Sequence, residues 1–397
     1  MLTDLPRWIL GTSLLALTAC GGGGSGSPDA HVGDGAIDGN GSCTTTITAT
    51  VFDASHTLKL PNVKIYVPNG ALPTPTHGPG SCTAIGSTIG AVATTGNDGI
   101  ANLSVDLSDP FPVVAQIGKW RVSQMVTTPC VNNPITFVLP GSPSQGAMPK
   151  IAVSTGQGDS LECSLHRMGI DAAVTVFHGT GGANAAAPAS TTLWQSTATL
   201  APYDAVLLSC EQAETAGVVR QAIHDYAAQG GYVFAEHYGY NWFNAAPFAT
   251  ESLATWTVGP QNLGSPTNAV FGSADPRRTW LETTGALNAS HELPLLNADN
   301  NIATVGASAT NLLNANASAT VPNAPLLLSW AEPIAAGVGR IVYADFHIGS
   351  ASGDYGLAPG QLGVPANSVY PTGCAATALT AAEKAFMYTL YEDLNCP

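Results

Sequence analysis

A buried strand, a helix and a second buried strand follow one another between residues 205 and 236, and that order leaves few folds open. Ala205-Val206-Leu207-Leu208-Ser209 is a continuous apolar run, the mark of a strand covered on both faces. Val218, Val219, Ala222, Ile223, Tyr226 and Ala227 then recur at helical spacing, and Gly230-Gly231 supplies the stop. Tyr232-Val233-Phe234-Ala235-Glu236 is buried again. Strand, helix, strand predicts a parallel sheet joined by right-handed crossovers. Residues 150–155 and 174–177 add strands to it, with a helix through Leu161, Leu165 and Met168 between them. Gly339-Arg340-Ile341-Val342-Tyr343-Ala344 is the last core strand. A closing helix over 379–394 opens with a Thr380/Glu383 capping box.

Residues 244–335 are dominated by Asn, Ala, Ser and Thr, with one helix near 277–281. They read as a large insertion on one edge of the sheet. Ahead of a Gly/Ser/Pro linker at 141–149 the pattern differs. Short alternating runs at 44–52, 63–67, 101–107, 113–117 and 120–126 stand between Gly, Pro and Asn residues and predict an antiparallel β-sandwich over 43–140. The expected fold class is therefore multidomain: an N-terminal antiparallel β-sandwich, then a C-terminal α/β flavodoxin-like parallel sheet over 150–397 with its insertion. Ile47-Thr48-Ala49-Thr50-Val51-Phe52-Asp53, Leu60-Pro61-Asn62-Val63-Lys64-Ile65-Tyr66-Val67 and Thr94-Thr95-Gly96-Asn97-Asp98-Gly99 resemble the carboxypeptidase regulatory-like domain, a transthyretin-type sandwich. Modules of that family support or bind rather than catalyse.

At the start, residues 8–19 are apolar and follow a single Arg7. The run is shorter than the roughly 20 residues that span a bilayer, and it fits a secretory signal over 1–19. Leu17-Thr18-Ala19-Cys20 resembles a bacterial lipobox, in which the Cys is acylated and becomes the mature N-terminus. The Gly/Ser-rich residues 20–42 suit a tether. Gly21 rather than Asp after the Cys implies, by that resemblance, the outer membrane, at its periplasmic or cell-surface face. The expected membrane contact is thus the lipid anchor. With 12 Lys+Arg against 27 Asp+Glu the net charge of −15 argues against nucleic acid and anionic membrane faces.

Seven cysteines remain after Cys20, so an exported chain of this kind carries disulfides and one odd thiol. Three lie before residue 150 and four after, which puts the odd thiol in the first half. Cys163 in the first helix and Cys210 at a strand end are expected near one another and are read as a disulfide. Cys374 and Cys396 flank the last helix as a second pair. The partners among Cys43, Cys82 and Cys130 stay open. No CxxC pair is present.

Ligands of open α/β sheets bind outside the carboxyl ends of the strands. The chain places Gln157 and Asp159, then Cys210 and Glu211, then Glu236, His237 and Tyr238, then Asp345 and His347 at those ends. His237 and His347 are the candidate catalytic groups, with Glu236 or Asp345 as orienter. Gln157, Asp159, Glu211, Tyr238 and Trp242 are candidate ligand contacts. The aromatic group Tyr238, Tyr240, Trp242 and Phe243 reads either as core or as a platform for a sugar ring. No HExxH-type spacing, P-loop or dinucleotide fingerprint occurs, so no metal and no cofactor is assigned.

The stretch Leu200-Ala201-Pro202-Tyr203-Asp204-Ala205-Val206-Leu207-Leu208, the Gly230-Gly231 stop, Tyr232-Val233-Phe234-Ala235-Glu236-His237-Tyr238-Gly239 and Gly339-Arg340-Ile341-Val342-Tyr343 together resemble the class I glutamine amidotransferase-like superfamily, in its trehalose-utilisation-like branch. True amidotransferases carry a nucleophilic Cys at the turn after the fourth strand. Here His237 stands there, as a His also does in that branch. The first reading is therefore a lipid-anchored, non-catalytic binding or structural protein. The second is a hydrolase or carbohydrate-active enzyme using His237 and His347, with carbohydrate or another envelope component as its partner. The third is a metal site on the same two histidines.

Overall fold

Period-two burial shapes the first part of the chain. The computed structural model describes residues 43–81, 84–349, 369–371, 374 and 378–394. In β1 (Thr45–Phe52) Ile47, Ala49 and Val51 are fully buried while Thr46, Thr48 and Thr50 face outward, because successive side chains point to opposite faces. β1 lies between β4 (Ile100–Val105), to which it is antiparallel, and β7 (Asn132–Val138), to which it is parallel. A four-stranded sheet holds β3 (Thr88–Thr94), β2 (Lys64–Pro68), β5 (Phe111–Ile117) and β6 (Trp120–Val126) in that order. Ile47, Val51, Ile65, Val113 and Phe137 share one core between these sheets. β3 and β7 are edge strands without a strand-like run in the sequence, since Gly90 and Pro134 interrupt them.

The second part is built on nine strands. β8 (Ile151–Ser154), β9 (Val174–Phe177), β10 (Ala205–Leu208) and β11 (Tyr232–Glu236) are parallel. They are joined through α1 (Leu161–Arg167), then through α2 (Ser190–Leu193) with α3 (Thr197–Leu200), and then through α4 (Arg220–Ala228). β18 (Gly339–Ala344) continues the parallel series beside β11. The spatial order β9-β8-β10-β11-β18 reverses direction between β8 and β10, which is where such sheets open a crevice.

Residues 244–335 do extend one edge of the sheet, but the expected parallel sheet needs correction. Residues 244–335 contribute β12 (Ala254–Trp256), β13 (Thr267–Phe271), α5 (Pro276–Thr283), β14 (Leu293–Leu295), β15 (Ile302–Val305), β16 (Thr310–Ala315) and β17 (Pro325–Glu332). β17, β16, β13 and β14 extend the same sheet beyond β18 as antiparallel strands, so the sheet is mixed. An antiparallel strand can leave one face wet. Thr310-Asn311-Leu312-Leu313-Asn314-Ala315 thus forms a strand without a long apolar run. α6 (Ala381–Asp393) closes the chain, and both bonds of the Thr380/Glu383 capping box form. The molecule is an α/β protein with several sheets and few helices. The described residues belong to one compact unit.

Two disulfides join Cys43 to Cys130 and Cys163 to Cys374, and Cys210 is a free, buried thiol. The expected Cys163–Cys210 and Cys374–Cys396 pairs are thereby excluded, as is an odd thiol confined to the first half. The reason is the direction of α1. Its Cys163 faces the α6 side, where Ser164 Oγ donates to Glu383, whereas the 156–160 turn packs against Cys210, whose carbonyl accepts from Gly158 N and Asp159 N. The signal, Cys20, the tether, Cys82 and Cys396 lie outside the described residues.

Candidate functional site

Four strand ends meet at the crevice. After β11 the chain turns sharply: Glu236 is extended, but His237 takes φ +44° and begins a short 3-10 turn, His237–Trp242. The left-handed region is costly for any residue with a Cβ, so such a position persists only where its surroundings hold it, and it clusters at functional sites. Tyr343 of β18 holds this one, donating its hydroxyl to His237 O at 2.6 Å.

The turn aims the His237 ring at two neighbours. Cys210 Sγ, just past β10, is 3.1 Å from His237 Nδ1, and His347 Nε2, past β18, is 2.9 Å from the same atom. On the far side of the ring Nε2 is 2.8 Å from Asp299 Oδ2, a close but off-axis contact that leaves Nε2 without an aligned hydrogen bond. Cys210 is 1% and His237 7% exposed. The two imidazoles are in contact and largely buried rather than facing each other across an open cleft, and burial is what a structural role for them predicts. Burial pushes the His347 imidazole down to about 3, helped by the nearby His237 ring, so it is neutral at physiological pH. Burial, then the Glu236 carboxyl, pushes the Cys210 thiol well up. Ligand atoms of Cys210, His237 and His347 lie within 4.8 Å of one another, as do those of a second group, His224, Glu251 and Glu332.

Neither expected orienter serves His237. Glu236 turns the other way: its Oε1 accepts from Ser209 Oγ at 3.0 Å and Cys210 N at 3.1 Å, and its Oε2 accepts from Ile348 N at 3.2 Å. It faces Asp159, whose Oδ2 accepts from Ile348 N at 2.7 Å and Gly349 N at 3.0 Å. Both carboxyls are buried and pushed up by burial, Asp159 further by Glu236. Together the two carboxyls tie the end of β10 to the 348–349 segment. Asp345 Oδ2 accepts from Asn301 N at 2.6 Å and Ile302 N at 3.0 Å, and its Oδ1 lies 2.9 Å from the Tyr343 hydroxyl oxygen. Burial pushes its carboxyl up to about 7. It fixes the 299–302 segment and so places Asp299, the group that does meet the imidazole.

Asp299 carries no sequence signal. It lies in Asn297-Ala298-Asp299-Asn300, outside any regular element, and reaches the site because Asp299 N donates to Asp345 O at 2.8 Å. Of the candidate ligand contacts, Tyr238 is half-exposed with its ring centroid 4.1 Å from that of His237 and forms a wall of the site. Trp242 is corrected to core: it is 1% exposed and packs edge-on against Trp194 at 5.0 Å. Gln157 is exposed and lies against Gly181, and buried Glu211 bonds Thr180. A cavity of about 30 Å³, lined by Leu296, Asn297, His347, Gly349 and Ala382, adjoins His347 and has room for about one water.

No protein-family model and no curated protein matches the chain. Among solved structures it is similar to a putative ThuA-like protein from Bacteroides uniformis, at 12% identity over 50% of this chain and 81% of that one, TM-score 0.31. It is similar also to a cytoplasmic protein of Salmonella typhimurium, at 12% identity over 53% and 94%, TM-score 0.33. PurLQS from Thermotoga maritima matches at 9% identity over 61% and 97%, TM-score 0.35. At these scores the likeness brings no activity with it.

Proposed function

We propose that this chain is a lipid-anchored cell-envelope hydrolase whose reactive centre is the strand-end cluster of Cys210, His237, His347 and Asp299. One observation carries the reading: the Cys210 sulfur, the His237 ring and the Asp299 carboxylate stand in series, 3.1 Å and 2.8 Å apart, the second contact lying off the axis of Nε2. That is the order in which a nucleophile, an imidazole and an orienting carboxylate cooperate. Tyr238 and His347 both pack against the His237 ring, with ring centroids 4.1 Å and 4.8 Å from it. On this reading Cys20 is acylated, the Gly/Ser-rich segment is a tether and the sheets over 43–140 are a regulatory-like sandwich acting as a spacer. Residues 150–397 are the amidotransferase-like domain, with the attacking group displaced from the elbow to a neighbouring strand. Carbohydrate or another envelope component is the substrate class.

A purely binding role has one observation in its favour, the near-complete burial of Cys210. Turnover decides between the two. The full chain in detergent is offered panels of esters, amides and glycosides drawn from envelope material. Hydrolysis that falls at least 100-fold in His237→Ala, and less steeply in Asp299→Asn, supports the enzyme. Saturable binding without turnover in wild type removes it.

A further inference from the structure

We propose that Cys210, His237 and His347 bind a divalent metal ion of the zinc class. The proposal deepens the hydrolytic reading and rests on it for any catalytic role: with an ion bound, Cys210 is a ligand and the attacking group is a water. The binding itself does not depend on that reading.

The geometry poses a hydrogen-bonding problem that an ion solves. Cys210 Sγ and His347 Nε2 both approach His237 Nδ1, at 3.1 Å and 2.9 Å. A ring nitrogen offers a single in-plane position, either one proton or one lone pair. It cannot make a full hydrogen bond to a thiol and an imidazole together. An ion among the three atoms takes one lone pair from each, and the thiol proton leaves when the ion binds.

The donor set selects the class of metal. A thiolate with two imidazoles favours zinc and its neighbours over magnesium or calcium, which take oxygen ligands. Three protein ligands with a position left over is the pattern of sites that hold a water. Behind the set, Asp299 lies 2.8 Å from the His237 nitrogen that faces away from the other ligands, off its axis but in the place that outer carboxylates of metal-bound histidines take. Charge also balances locally: a doubly charged ion and one thiolate leave a single positive charge, which the Asp299 carboxylate offsets. The ligands stand just past β10, β11 and β18, three consecutive parallel strands, so the frame is rigid. Among the described cysteines only Cys210 stays out of a disulfide.

The test uses the full chain purified without chelator. Elemental analysis is expected to find close to one zinc per chain. Exchange of zinc for cobalt is expected to give a near-ultraviolet thiolate-to-cobalt absorption that Cys210→Ser abolishes and His347→Ala alters. Asp299→Asn is expected to weaken zinc binding roughly 10- to 100-fold. Glu332→Gln, in the His224 group, leaves it unchanged. Should Cys210→Ser fold poorly, the wild-type cobalt spectrum still decides, because only a sulfur ligand produces that band. A metal-free wild type with a freely alkylated Cys210 and no cobalt band overturns the proposal, as does zinc held equally well by the Cys210→Ser and His347→Ala variants. Hydrolysis persisting after the zinc is stripped overturns the ion's catalytic role, though not its binding, and leaves the hydrolase with the thiol as its nucleophile. Bound zinc without turnover overturns the hydrolase and leaves the ion.

Discussion

Burial, more than pairing, sets the charge state of the acids packed under the sheet. Glu162 in α1 is 1% exposed, and neither of its carboxyl oxygens has a hydrogen-bond partner from another residue's side chain. Burial pushes its carboxyl from 4.5 up to about 8, with Glu236 adding to the rise. A folded-state value above the unfolded one means that the native chain binds this proton more tightly. The stabilisation is complete below about pH 4.5 and is lost as pH rises through about 8. Asp345, pushed up to about 7, acts in the same direction. Wild type is therefore expected to lose stability steadily from pH 5 to 8, and Glu162→Gln to flatten part of that slope. Urea melts of both proteins at the two pH values check this, and equal slopes would sink it. The residue scale also shows what a sequence can and cannot carry. His237 and His347 were legible because each ends a buried strand. Asp299 was not, because its place depends on a backbone bond to Asp345 at the end of a strand forty-odd residues further on. Cys210 was misread because the sequence says nothing of which way α1 turns Cys163.

Elements with strong local periodicity were legible to within a residue or two, and those stabilised by partners were not. β6, β9 and β11 match their apolar runs, and α6 begins at its capping box. β13, β16 and β17 owe their place in the sheet to antiparallel pairing outward from β18, which no window of sequence contains. α6 illustrates how an element is tied in. Glu383 caps Thr380 N at 2.8 Å and also pairs with the buried Arg167 of α1, beside the Cys163–Cys374 bridge. The two functions separate by mutation. Thr380→Ala removes one cap bond and is expected to cost about 1 kcal/mol. Glu383→Ala also strips the carboxylate from a buried guanidinium and is expected to cost roughly 3–5 kcal/mol. Thermal melts check the ordering; equal losses would mean that the ion pair contributes no more than the cap.

At the scale of the molecule the question is whether the sheets before residue 140 and the sheet after 150 unfold separately. A linker at 141–149 suggests bodies that do. The packing argues for one cooperative unit instead. A single apolar cluster runs from Ile47 of β1 through Trp120 and Tyr391, whose rings are 4.4 Å apart, to Leu207 of β10. Polar bonds cross the same boundary. Asp204, 3% exposed at the start of β10, takes Lys119 Nζ from the turn before β6, His77 Nδ1 at 2.8 Å and Gly78 N at 2.7 Å. Trp280 Nε1 of α5 donates to Lys59 O at 2.8 Å. Lys119 is only 6% exposed, and Asp204 is the carboxylate that pairs with its ammonium. Asp204→Ala leaves an uncompensated buried ammonium and is expected to cost about 3–5 kcal/mol. Because both parts share the core, the loss should move one unfolding transition of the whole molecule to lower temperature. Calorimetry of wild type and variant makes the check: a single peak that shifts as a unit fits this packing, and two peaks, of which only one responds, would show that the linker divides the chain after all.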